Sequence, residues 1–130
     1  MLLLNFGAYL KMNSCPLKIV PKKWGFEKWI VNNEKYCGKI LYIIKDYGCS
    51  WHFHKIKDET FYVQSGKIIL YYGHDKDFSK ASSVILEKGD HHHIPTGLIH
   101  KMVALQDTEL FEFSTQHFDE DSYRIISNEI

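Results

Sequence analysis

The sequence has little cysteine, little proline, no excess of charge of either sign and no long hydrophobic run, and each shortage excludes something. Its cysteines are three, Cys15, Cys37 and Cys49. An odd number without CxxC spacing makes neither a disulfide framework nor a zinc ribbon. They read as small apolar side chains in a reducing compartment, although Cys49 stands close enough to a histidine pair to leave a redox role open. Prolines occur only at 16, 21 and 95 and no stretch is of low complexity, so nothing resembles a linker between domains. Lys and Arg total 16, as do Asp and Glu, for a net charge of +0. That leaves no basic field for a nucleic-acid backbone and no charged tail. The opening MLLLNFGAYL is too short to span a bilayer and lacks the charged leader and cleavage site of a signal peptide. The expectation is therefore a cytoplasmic protein that binds neither nucleic acid nor membrane. Residues 1–20 read as an N-terminal extension, an arm or partly disordered, with Met12 as an alternative start, and residues 21–130 as a single domain.

What is present is globular. Hydrophobic residues make up 45% and charged residues 25%, enough apolar side chain for one core and unlike a disordered chain. Apolar runs are short, rich in Ile, Val, Tyr, Phe and Trp, and stop at Gly, Asp or Asn, which is the pattern of strands. The runs 27–32, 38–45, 50–54, 59–64, 67–72, 83–87, 91–94, 99–105 and 109–115 are predicted strands, separated by turns such as Ser65-Gly66 and Lys88-Gly89-Asp90. Residues 75–81 suit a helical turn, and 119–126 either a short helix or a final strand. Closely spaced strands with little helix predict an all-β sandwich or small barrel.

Histidine is where the chemistry concentrates. In WHFHKIKDETF, residues 51–61, His52 and His54 share one face of a strand, about 7 Å apart along it. After a bend at 55–58 a second strand starts at Glu59, whose carboxylate can return to the same point. In GDHHHIPTGLIH, residues 89–100, Pro95 and Gly97 bend the chain and His100 opens another strand. Three imidazoles and one carboxylate would hold a divalent metal with positions left for water or substrate. A lone HxH is more often surface or packed histidine; Glu59 and His100, both at strand starts after marked turns, raise the metal reading above it.

HFHKIKDETFYVQSG resembles the first motif of the cupin superfamily, G-x5-H-x-H-x3,4-E-x6-G, with His52, His54, Glu59 and Gly66 in place. GDHHHIPTGLIHKMVA resembles the second, G-x5-P-x-G-x2-H-x3-N, with Gly89, Pro95, Gly97 and His100 in place. Two departures are the opening glycine, where Asp46 stands and Gly48 follows two places later, and the closing Asn, replaced by Ala104. The resemblance implies a single double-stranded β-helix, a jelly-roll-like barrel. It also implies one divalent metal ion (Zn, Mn, Fe, Co or Ni) held by His52, His54, Glu59 and His100, and a homodimer.

Narrower likenesses lie outside the motifs. PKKWGFEKWIV, residues 21–31, and ELFEFSTQHFDEDSYRI, residues 109–125, resemble the opening and closing segments of type II mannose-6-phosphate isomerases. HFHKIKDE resembles the ligand loop of cupin-type lyxose isomerases. These imply aldose–ketose isomerisation of a sugar or sugar phosphate through a metal-stabilised enediolate. Glu112, which interrupts the apolar LFEFS, is the candidate proton shuttle unless it points outward. Lys55 could neutralise developing charge or hold a phosphate, or be simply solvated. Tyr123 and Arg124 could close over the substrate or merely cap the barrel. Among His91–His93, only His91 and His93 share a face, and His93 is taken as the pocket-lining substrate contact; His74 and His117 read as surface residues. Trp24 packs across the barrel end or stacks on a sugar. Trp51, Phe53, Tyr62, Tyr71 and Tyr72 make an apolar outer face that needs cover from the N-terminal segment or another chain. Rival readings are an iron-dependent cupin oxygenase, a non-catalytic sugar-binding cupin, and a lyase acting on a small acid.

Overall fold

The computed structural model describes residues 17–125. The strands are β1 (Lys18–Lys22), β2 (Gly25–Asn32), β3 (Cys37–Ile43), β4 (His52–Phe53), β5 (Glu59–Ser65), β6 (Lys67–Gly73), β7 (Ser82–Glu87), β8 (His91–Ile94), β9 (Ile99–Ala104), β10 (Thr108–Ser114) and β11 (Tyr123–Arg124). They form two antiparallel sheets, β1-β2-β3-β10-β5-β8 and β11-β4-β9-β6-β7. From β3 onward, consecutive strands pass from one sheet to the other at every connection except the β6–β7 hairpin. That is the winding of a jelly roll, and it brings residues far apart in the chain to one place. Among the described residues no helix is long and apolar enough to cross a membrane.

Alternation places the core. Leu41 and Ile43 of β3, Phe61 and Val63 of β5 and Leu110 of β10 face Ile68 and Leu70 of β6, Leu86 of β7 and Met102 and Ala104 of β9. Burying each large aliphatic side chain contributes about 1.5–3 kcal/mol before the entropy of ordering it. The inward rows change character along the strands. Leu41, Leu110 and Val63 lie side by side across β3, β10 and β5. In the next inward row Lys39 stands opposite Glu112, which stands opposite Phe61, and in the row beyond Cys37, Ser114 and Glu59 align. One end of the interior is thus apolar and the other carries charge.

The predicted strands all occur, but 50–54 is reduced to His52–Phe53, because only one residue, His52, finds a partner across β9. β1 straddles the expected boundary at residue 20; it is an exposed edge strand, where Pro21 removes no ladder hydrogen bond that a neighbour needs. The rest of the expected extension, residues 1–16, lies outside the described residues. The helical turn expected at 75–81 is a 3-10 turn at Phe78–Lys80, capped by the Asp77 side chain. Of the alternatives at 119–126 both occur: a 3-10 turn at Asp119–Asp121 followed by β11. The expected outer apolar face is not left open at Trp51. Its indole Nε1 donates to the Lys76 carbonyl at 3.0 Å and its ring meets Phe78 edge-on, as does that of Tyr71. The β6–β7 loop of the same chain covers Trp51 and Tyr71, Tyr123 stacks on Phe53, and Tyr72 lies on the inward face with Ile68 and Leu70, packed against the core.

Candidate metal centre and cavity

Two crossings of the chain assemble the centre. β4 and β9 are hydrogen-bonded neighbours with His52 directly opposite His100. His54 follows just beyond β4, and β5 begins at Glu59 after the bend. One ring nitrogen from each of His52, His54 and His100 lies within 4.8 Å of the others. Glu59 Oε2 stands 3.1 Å from His54 Nε2 and 3.4 Å from His100 Nε2. The sequence motif therefore closes in space.

The orientation of the rings comes from the backbone. Each Nδ1 lies at a carbonyl oxygen: that of His52 at Ser50 (2.7 Å), that of His54 at Asp121 (2.8 Å) and that of His100 at Leu98 (3.0 Å). A carbonyl only accepts, so Nδ1–H donates and the lone pair of the neutral ring sits on Nε2. Lone pairs of His54 and His100 then point at a carboxylate oxygen that is buried and has no hydrogen-bond donor aimed at it among the described residues. Such a group of acceptors is repulsive unless a cation lies between them. A divalent ion with bonds of about 2.0–2.2 Å to nitrogen and oxygen needs neighbouring ligands about 3 Å apart. The two separations from Glu59 are close to this, while the group within 4.8 Å comprises the three histidines, which Glu59 joins through His54 and His100. The residues present fit the metal.

Protonation follows the same geometry. Burial, reinforced by His100, pushes His52 down to about 3, so its ring is neutral and ready to ligate. Burial pulls His54 down too, but the contact with Glu59 outweighs it and the net direction is upward. Burial raises the Glu59 carboxyl, yet His100, His54 and Lys57 together hold it well below the usual carboxylate range. Proton and metal compete for the space between Glu59 and His54.

The centre opens into a cavity of about 810 Å³. Across it Glu112, 4% exposed, is paired by Oε2 with Lys57 Nζ at 3.1 Å and, more loosely, with Lys39 Nζ at 4.0 Å. Lys39 also meets Glu27 Oε1 at 3.5 Å and lies over the Trp29 ring at 4.1 Å. Burial disfavours the Lys57 ammonium, but Glu112 and Glu59 more than restore it, so its pKa is raised. A buried lysine beside two carboxylates is stable only as part of such a charge-balanced group.

Of the residues singled out from the sequence, Arg124 and Glu112 line the cavity with the four candidate ligands, and so does Trp24. Lys55, Tyr123 and His93 do not join them. Lys55 is exposed, with its ammonium over the Tyr123 ring at 4.3 Å, and that ring stacks on Phe53, whose side chain alternates away from the ligands. His93 is exposed and pairs with Asp58 at 2.8 Å, because in β8 it is Ile94, not His93, that turns inward. His74 is exposed as expected. His117 is not a surface residue: it lines the cavity, meets Trp29 edge-on at 4.9 Å and faces Asp119 Oδ1 at 3.0 Å. Burial, with Lys39 and Lys57 nearby, pushes it down to about 4.

Sequence reasoning missed Lys39, Lys57 and Asp121. Lys39 was findable, since CGKILYI alternates and places it on the face of Leu41 and Ile43. Lys57 lies in a bend and Asp121 in an acidic run, where no period reveals burial.

A model of the cupin domain matches residues 42–113. No curated protein sequence matches the chain. Among solved structures, the capsular polysaccharide assembling protein CapF from Staphylococcus aureus is 21% identical with a TM-score of 0.75, over 90% of this chain and 35% of that one. KdgF from Halomonas sp. is 17% identical with a TM-score of 0.67, over 82% of this chain and 90% of that one. A single-residue variant of oxalate decarboxylase from Bacillus subtilis is 16% identical with a TM-score of 0.73, over 84% of this chain and 30% of that one. The chain spans about a third of the length of CapF. At these identities the likeness is one of fold. With more than half of its length matched by the domain model and both histidine motifs converging on one point, the chain belongs to the cupin family.

Proposed function

We propose that this cupin is a metal-dependent aldose–ketose isomerase acting on a sugar or sugar phosphate. The supporting observation is that three histidines grouped within 4.8 Å, with Glu59 against two of them, and a second buried carboxylate, Glu112, line the same cavity. A divalent ion held by His52, His54, Glu59 and His100 would supply Lewis acidity to a carbonyl and its neighbouring hydroxyl. Glu112 carries the proton between the two carbons. All its described polar contacts use Oε2, with Lys57, Lys39 and Ser114, so Oε1 is the oxygen left for substrate. Lys57 and Lys39 keep that carboxylate in place and balance its charge in a poorly hydrated wall. Arg124, at the cavity lining, binds a phosphate or hydroxyl, and Trp24 offers a flat apolar face to the ring.

The protein is further read as a cytoplasmic homodimer. Among the described cysteines, Cys37 and Cys49 are free, as a reducing compartment requires. Ile30 of β2 and Phe113 of β10 stand exposed on the larger sheet with Tyr36 of the β2–β3 turn beside them, an apolar strip that a second copy would cover.

The test is metal analysis of purified protein, then a screen of aldoses, ketoses and their phosphates in deuterated water. Deuterium entering C1 or C2 of one sugar is expected. Sugar binding without exchange would instead make it a binding module, and oxygen uptake with ferrous iron an oxygenase; either result displaces the isomerase reading.

A further inference from the structure

A two-residue strand opens the run that carries His52 and His54, and a remote segment holds it. The only pairing of β4 with β9 is His52 opposite His100. Its other edge is occupied by β11, with Tyr123 opposite Phe53 and Arg124 opposite His52. Ile125 N donates to the Trp51 carbonyl at 2.9 Å. Just before β11, Asp121 is 2% exposed. Its carboxylate accepts three successive backbone amides of the ligand loop: Oδ1 takes those of Lys55 (2.9 Å) and Ile56 (3.1 Å), and Oδ2 takes that of Lys57 (2.9 Å). The carbonyl of the same residue accepts Nδ1–H of His54 at 2.8 Å.

We infer that Asp121 is a positioning residue for the metal centre, and that residues 119–125 form a strap whose docking and metal binding reinforce each other. One residue sets two things at once. Its carboxylate fixes the path of the chain between His54 and Glu59, hence the separation of two ligands. Its carbonyl fixes the tautomer and the plane of the His54 ring. An acidic side chain inside the protein is costly unless fully hydrogen-bonded, and here three amides satisfy it. Those amides belong to a bend, which has no ladder of its own to satisfy them. Outer partners of metal-ligating histidines typically change affinity about 10–100-fold. Because linkage is reciprocal, a metal that holds the His54 ring also holds its Asp121 partner in place. The inference rests on the metal reading above.

Co²⁺ is the probe, since its visible bands report both affinity and coordination. Wild-type protein is expected to bind one Co²⁺. Asp121→Asn keeps an oxygen for Lys55 and Ile56 but turns an amide donor toward Lys57 N, and is expected to weaken Co²⁺ at least tenfold while unfolding cooperatively. Leu86→Ala, a core change among the apolar residues, serves as the control for lost stability and is expected to leave Co²⁺ affinity within threefold. Hydrogen exchange on the wild type needs no variant: Co²⁺ is expected to slow the amides of 55–57 and of Ile125 at least tenfold. Equal affinity in Asp121→Asn and wild type, equal weakening in Asp121→Asn and Leu86→Ala, or exchange unaltered by Co²⁺ would overturn the strap. If Asp121→Asn does not fold, the exchange measurement decides alone. Failure of the wild type to bind Co²⁺ would instead remove the metal reading itself.

Discussion

His52 and His100 face each other across β4 and β9 with ring centroids 4.4 Å apart, although 48 positions separate them in the chain. The pairing places one ligand of each motif on adjacent strands, so each depends on the other's strand for its position. His54 is the ligand whose loss is cleanest to read, because it lies just beyond β4 and outside the apolar cluster. His54→Ala is expected to abolish metal retention while the far-ultraviolet spectrum and cooperative unfolding persist. Metal content by mass spectrometry checks it, and a variant purified with the wild-type amount of metal would contradict the site.

Glu112 and Lys57 make the next prediction. Glu112→Gln keeps the shape but removes the base, so solvent deuterium exchange into substrate is expected to fall about 100-fold or more with metal content unchanged. Lys57→Met is expected to destabilise the fold, because it leaves two buried carboxylates with less compensation, at a cost of about 3–5 kcal/mol. Chemical denaturation measures the second effect, and single-turnover exchange the first. Unaltered exchange in Glu112→Gln would remove the carboxylate from the chemistry.

His117 predicts a pH dependence. Its folded value is near 4, against an ordinary value of 6.5, with burial as the main cause. Between those values the unfolded chain binds a proton that the folded one refuses, so stability rises with pH through this window. The contribution is complete above about pH 6.5 and is lost as pH falls toward 4. Urea midpoints of chelator-treated protein are expected to drop from pH 6.5 to pH 4.5, and to drop less in His117→Gln. A variant with the wild-type slope would contradict the assignment.

Asp46 and Gly66 test the backbone. Asp46 has φ 72°, and it stands where the first motif has glycine, which explains why glycine belongs there. Asp tolerates the left-handed region better than most residues. Asp46→Gly is therefore expected to be neutral or stabilising, and Asp46→Ala to cost about 1 kcal/mol. Gly66 has φ 89°, and a Cβ there would overlap the Asp107 carbonyl oxygen and Thr108 Oγ1. Gly66→Ala is expected to lose about 2 kcal/mol or more, the strain of a non-glycine residue in that region plus the clash. Thermal midpoints rank the three, and a Gly66→Ala protein as stable as wild type would show that the turn can rearrange.

The histidine spacing, the glycines and prolines of the turns and the alternation of the strands were readable from the chain alone, because each expresses a local rule. Side chains two apart share a face, and a turn needs its own residues. Lys39 obeys the same rule, on the inward face with Leu41 and Ile43. β1 was hidden by Pro21, which only an edge strand tolerates, and β4 was overestimated because a strand lasts only as long as its partners. Three things belonged to the tertiary structure. Lys57 becomes half of a buried ion pair because β10 brings Glu112 to it from 55 positions away. His117 leaves the surface because β2 offers Trp29 beside it. Asp121 finds its three amides across 64 positions or more. A charged residue in a bend or a tail is ordinarily solvated, and nothing local marks one as buried. Whether it is depends on what the far end of the chain presents to it, and only the wound sheets decide that.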